Sequence, residues 1–362
     1  MQLNLGFAFA VLMLAGSVLS AQLNTPKYSN EFLSIGIGAR SMAMSGSVVA
    51  SVDDATAAYW NPSRLHLIKG ERQLNLMHAE YFAGIAKYDY GSVGLRLDDR
   101  SAMAVSFIRF GVDNIPNTID LIDSQGNIHY DRITTFSVTD WALFLSYGRK
   151  LNITDVSLGG SVKIIRRKIG DFAGAWGFGL DFAVSYTKVK WLFAAVARDA
   201  TSTFNAWSFN LSDRMKEVFT ITGNIIPENS LEITTPSLLL AAGRNIDISP
   251  SFRFLPELGL DVTFDGKRNV PIKTSVFSIS PHLGAEISYK NFIFFRTGIG
   301  NIQQETNREG KKITSFQPNI GLGINIQDKF SIEYALTDIG DNSMALNSNI
   351  FSIRISFNKS QK

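Results

Sequence analysis

The sequence predicts an all-β chain, a 14-stranded antiparallel transmembrane β-barrel with a small N-terminal hatch. Three observations carry that expectation. From about Arg72 to the C-terminus, fourteen stretches alternate hydrophobic with small or polar residues at a period of two, so each has one apolar face. Past the first pair, tight turns alternate with longer polar connections, as in a barrel with short periplasmic turns and long outer loops. Beyond residue 21 no apolar run approaches the roughly 18 residues that a spanning helix needs. Any crossing must be made by strands.

Composition narrows the classes. Of 362 residues, 45% are hydrophobic and 19% charged, below the roughly one quarter usual in soluble domains. A formal net charge of +3 gives no electrostatic case for nucleic acid or an acidic partner. With no cysteine, neither a disulfide framework nor thiolate chemistry is available.

The elements follow in chain order. Residues 1–21 read as a secretory signal. Leu5 to Leu14 is apolar or small, and Ser17-Val18-Leu19-Ser20-Ala21 offers cleavage after Ser20 or Ala21. The n-region lacks Lys and Arg. Residues 22–70 form the hatch segment, rich in small residues that let backbone pack on backbone. Within it Asp53 is expected to cap a short helix, which must end near Asn61 because Pro62 biases its predecessor away from helix.

Residues 71–362 form the barrel. Strands are expected at 72–81, 83–97, 101–110, 140–149, 155–167, 176–187 and 190–199 in the first half. The second half gives 235–247, 253–265, 280–289, 292–301, 313–326, 330–337 and 347–357. Leu258, Leu260, Val262 and Phe264, for example, alternate with Gly259, Asp261, Thr263 and Asp265. The longest connections, Gly111–Thr139 and Ala200–Thr234, fall on the expected outer side. The link near Phe82 is short and breaks the rhythm. Trp141, Tyr147, Tyr186, Trp191, Tyr289 and Tyr334 lie near strand ends, where aromatic girdles form. The last strand, with Phe351, Ile353, Ile355 and Phe357 on one face, is similar to the C-terminal signal used in outer-membrane barrel assembly.

Chemistry is sparse. His66, His78, His129 and His282 have no metal-site spacing, and no catalytic residue, metal or cofactor is expected. His78 with Glu80 and a serine is the nearest approach to a lipase site. Arg166-Arg167-Lys168 is read as a solvated loop edge, with contact to lipopolysaccharide phosphate as the alternative. Asp53-Asp54 is read as a helix start rather than a cation site. Gly36, Gly38 and Gly46 lack the strand-to-helix setting of a nucleotide fingerprint.

From Phe32 to Leu65 the chain resembles the N-terminal signature of the PorV/PorQ family of FadL-like outer-membrane proteins. The matching residues are Gly38-Ala39-Arg40, Met44-Ser45-Gly46, Asp53-Asp54-Ala55-Thr56 and Trp60-Asn61-Pro62. Ser45 and Ser63 stand where glycine and alanine are expected. The resemblance implies a fourteen-stranded barrel with a hatch, in the outer membrane of a Gram-negative, Bacteroidetes-like bacterium. It implies a non-enzymatic component or docking protein of type IX secretion. The implied partners are outer-membrane lipid and lipopolysaccharide, the type IX translocon, attachment-complex proteins or cargo. The rival within the superfamily is a transporter of long-chain fatty acids or other hydrophobic small molecules. An open structural porin is disfavoured, because a hatch blocks the bore. An apolar pocket beside the hatch would favour transport, and a filled lumen with exposed apolar loop tips would favour docking.

Overall fold

A computed structural model describes residues 29–358, except 83, 124, 153–154, 307–309 and 340–346. The expected signal segment, residues 1–21, lies outside them.

Fourteen strands make a closed wall. They are β1 (Arg72–Tyr81), β2 (Ala86–Asp98), β3 (Ser101–Asn117), β4 (Thr134–Lys150), β5 (Val156–Ile169), β6 (Ala173–Lys188) and β7 (Trp191–Arg198). The second half supplies β8 (Ser237–Arg244), β9 (Phe252–Thr263), β10 (Ser278–Tyr289), β11 (Ile293–Thr306), β12 (Lys312–Ile326), β13 (Phe330–Thr337) and β14 (Ser348–Phe357). Each pairs antiparallel with its neighbours in sequence, and β1 pairs with β14 from Arg72↔Phe357 to Glu80↔Asn349. That last ladder closes the sheet and leaves no edge strand exposed.

The alternation behaves as lipid outside and hatch inside demand. On β6, Trp176, Phe178, Phe182 and Val184 face outward while Ala175, Asp181, Ala183 and Ser185 are buried. Tyr147, Tyr186, Trp191 and Tyr289 gather toward the short-turn rim with Phe193 and Phe252, and Trp191 stacks on Phe193 at 5.9 Å. Trp141 and Trp176 project outward nearer the long-loop rim. Short turns and both barrel ends of the chain share one rim, which the barrel rule places in the periplasm.

Three expectations need correction. The link at Phe82 keeps the order: it is an outer connection made very short, turned by positive φ at Phe82 (54°) and Gly84 (85°). The span 200–234 is not one loop. Thr203–Phe209 pairs with β6, and Ser230–Thr234 pairs back onto Thr203–Trp207, so β7 and β8 are prolonged above the rim. Asp199 and Ser202, both at positive φ, make the break in β7. The tip of this arm carries a helix, Asp213–Ile221, capped by the Ser212 hydroxyl, which accepts from the Met215 N–H at 3.2 Å. Likewise β3 and β4 run further than expected, to Asn117 and from Thr134, so the first long loop is shorter than 111–139.

Within the wall sit residues 29–70, which hold the most buried apolar side chains: Ile37, Ala43, Met44, Val48, Ala50, Ala57 and Leu65 are fully enclosed. Their elements are short, α1 (Ala39–Ala43), α2 (Ala57–Trp60) and a 3-10 turn, Pro62–Leu67. Wall glycines make the room. A Cβ at Gly148 or Gly159 would collide with the Pro62–Ser63 backbone, and one at Gly284 would stand 2.7 Å from the Met44 carbonyl oxygen. The small inward residues are therefore the hatch's footprint on the wall.

Candidate functional site

The candidate site is the hatch and the two vestibules it separates. Among the described residues none lines both spaces.

Hatch residues expected from the sequence meet in the fold. Trp60 lies against Gly36 and Gly46, and its Nε1 donates to the Ile37 carbonyl at 2.9 Å. A Cβ on Gly36 would sit 2.8 Å from Met42 Sδ and 3.2 Å from the Trp60 ring. Gly36, Gly38 and Gly46 also hold φ of 95°, 85° and 78°, a region costly for other residues. Asn61 is wholly buried, with its amide fully employed. Its Nδ2 donates to the Val49 carbonyl at 2.6 Å and to Ser185 Oγ at 2.9 Å, while its Oδ1 accepts from Ser63. The Asn61-Pro62 step thereby ends α2 and bolts the hatch to β6.

Asp53 is not the helix cap. The N-cap position is Thr56, which makes no side-chain cap bond; Asp54, two residues earlier, accepts from the Thr56 N–H at 2.9 Å and lies 3.9 Å from Arg354. Asp53 instead pairs with Arg40 at 3.2 Å. Arg40 also donates from Nε to Glu286 at 3.0 Å. Glu286 in turn accepts from Arg296 at 2.6 Å, and Arg296 reaches Glu333 at 3.1 Å. This chain of alternating charge joins hatch to β10, β11 and β13. Removing one member would strand a buried charge, which costs far more than the pair contributes.

Sequence reading missed several inward groups. Lys163 Nζ is held between Asp181 at 2.8 Å and Asp199 at 2.7 Å. Arg198 lies over the Tyr59 ring at 4.5 Å and the Trp60 ring at 5.4 Å. Ser47 Oγ meets His282 Nδ1 at 2.8 Å, and His282 Nε2 faces Asp261 at 3.3 Å. That order matches a hydrolytic triad, yet Ser47 has 0% exposure. With its hydroxyl sealed from any substrate, it serves as a hatch pin. His78 bonds Asp89 at 2.7 Å on the barrel, and among the described residues no serine bonds it. A signal existed for Lys163, Asp181, Asp261 and His282, which are ionisable residues at inward positions of long alternating strands.

Arg166-Arg167-Lys168 is no loop edge, since all three lie in β5. Arg167 pairs with Asp140 at 2.9 Å and Glu232 at 3.5 Å. Arg166 rests on the outward Trp176 at 5.1 Å, and Lys168 is exposed.

The outer vestibule, about 570 Å³, has the hatch as its floor. Its lining mixes charged groups, among them Lys163, Asp181, Asp199 and Arg268, with apolar ones such as Leu33, Met42, Trp60, Phe144 and Leu239. The inner vestibule, about 210 Å³, opens between the short turns. Above the outer rim, Arg214 of the arm helix reaches Asp120 at 3.4 Å and donates to the Ile122 carbonyl at 3.2 Å, joining the two longest outer connections. Their tips expose Ile122, Ile128, Tyr130, Ile221 and Ile225, the last 92% bare. At the opposite end of the sequence, β14 turns Phe351, Ile353 and Phe357 outward, with Ile355 half-buried.

Comparison with known proteins agrees with this architecture. Residues 20–231 match the family model described as type IX secretion system protein PorV. No curated protein matches the chain. Among solved structures, the CymD monoaromatic hydrocarbon channel is similar at a TM-score of 0.58 and 13% identity, over 90% of this chain and 98% of that one. The Pseudomonas putida toluene transporter TodX gives 0.56 and 12% over 89% and 98%. A Pseudomonas aeruginosa FadL homologue gives 0.50 and 11% over 88% and 97%. At such identities the likeness is one of fold.

Proposed function

We propose, from the premise that this chain belongs to the PorV family of type IX secretion proteins, that it is a non-enzymatic docking barrel of that apparatus. Its place is the outer membrane of a Gram-negative bacterium, in the FadL-like fold. The observation that carries the docking role is the contrast between bore and rim. The bore is filled by a hatch pinned with buried hydrogen bonds and ion pairs, and the space above it is lined by charged as well as apolar side chains. The rim carries two connections clasped through Arg214, with bare apolar side chains at their tips. Such tips suit a protein partner, translocon or cargo, better than solvent.

The test is deletion of residues 211–229, which spares the strands that prolong β7 and β8. The variant should still insert as a folded barrel and should lose secretion partners in affinity purification from outer membranes. Retained partners would refute docking through this arm.

A second reading, passage of a hydrophobic small molecule, draws support from the vestibule and its Leu33, Trp60 and Phe144 patch beside the hatch. The toluene transporter and hydrocarbon channel that share the fold lend it further support. Recovery of bound fatty acid without a secretion partner would favour it.

A further inference from the structure

We propose that the inner vestibule is a binding site for a small oxyanion, a carboxylate or a phosphate, entering from the periplasm. It stands independently of the docking role. The cavity lies between the inner face of the hatch and the periplasmic ends of the wall strands. Four arginines with largely buried side chains line it: Arg40, Arg64, Arg296 and Arg354.

Three of them are matched by carboxylates. Arg40 has Asp53 and Glu286, Arg296 has Glu286 and Glu333, and Arg354 has Asp54. Arg64 differs. It is 6% exposed, and its Nε donates to the Val52 carbonyl at 2.7 Å. Among the described residues no carboxylate lies within 4.0 Å of it, and its two terminal amino groups have no protein acceptor. Asp53 and Glu257 attract it only from beyond 4.0 Å. A buried guanidinium with no counter-ion in contact is expensive, and its planar fork matches a two-oxygen acceptor. The cavity in front of it is many times the size of a single water site. At the mouth Lys69 and Arg253 are half exposed, paired to Asp328 at 2.7 Å and Asp247 at 3.4 Å. Cations in a low-dielectric cleft concentrate anions from solution. An oxyanion on Arg64 would also tie the hatch to the wall, because Arg253 belongs to β9.

Calorimetric titration of the detergent-purified barrel, at constant ionic strength, tests this with inorganic phosphate in one arm and succinate in the other. Saturable binding of one anion per barrel is expected, and the tighter arm identifies phosphate or carboxylate as the natural class. Arg64→Gln should weaken that binding about tenfold or more, the value of a charge-assisted hydrogen bond. Arg253→Ala, outside the hatch, should weaken it about threefold, as a half-exposed charge does. No saturable binding in either arm, or unchanged affinity in Arg64→Gln, overturns the site. If Arg64→Gln fails to insert, Arg253→Ala decides: weakened binding supports the site and unchanged affinity overturns it.

Discussion

The wall and the hatch are stabilised by opposite means. Each wall strand repeats one rule, apolar out and small or polar in, and except at the closing β1–β14 ladder its backbone bonds go to neighbours in the sequence. The hatch has no period. It is held by individual contacts across great chain separations, such as Ser47 with His282, 235 residues apart, and Asn30 with Thr234, 204 apart. Redundancy protects the first region, whereas the second depends on single atoms.

The most severe test is to remove the hatch's room without touching it. Gly159→Val should expel the Pro62–Ser63 turn while the barrel still migrates as a folded, heat-modifiable band. Conductance in planar bilayers should then appear, and a variant as silent as the parent would refute the footprint account. Next comes Glu286→Leu, which leaves Arg40 and Arg296 short of a counter-charge. Loss of about 3 kcal/mol or more is expected, read as faster hydrogen exchange of hatch amides with wall amides unchanged.

The converse is a wall lesion. Leu283 projects outward midway along β10, between Leu258 and Ile299. Leu283→Arg should cost about 2–4 kcal/mol of barrel stability in vesicles, with hatch and wall unfolding together. Smallest is Asn61→Ala, expected to cost about 2 kcal/mol through unpaired groups at Val49 and Ser63. It should loosen residues 49–63 to protease and leave the barrel's unfolding midpoint nearly in place. If wall and hatch responded alike to all four changes, the division between them would be false.

That division also explains what was legible in advance. All fourteen wall strands could be located, because a period of two survives in a single sequence. The prolongation of β7 was overlooked although Phe204, Ala206 and Ser208 alternate with Asn205 and Trp207, since polar residues diluted the pattern. The hatch could be located by its small residues and by the Trp60-Asn61-Pro62 close, but its partners could not. Nothing in the order of residues links Arg40 to Glu286, and the cap expected at Asp53 falls three residues later, at Thr56, with no side-chain bond. Asymmetric, non-repeating contacts leave no rhythm to detect.

The ladder between β1 and β14 has a consequence for stability. The hatch grips both sides of that join, through Gly38 N–H to Met77 Sδ and Ala55 N–H to Gln73 on β1, and through Ala39 N–H to Ser352 on β14. Plug and seam therefore brace one another. Losing the plug would strip these three bonds from the strands that close the cylinder, and parting the seam would free one side of the plug's grip.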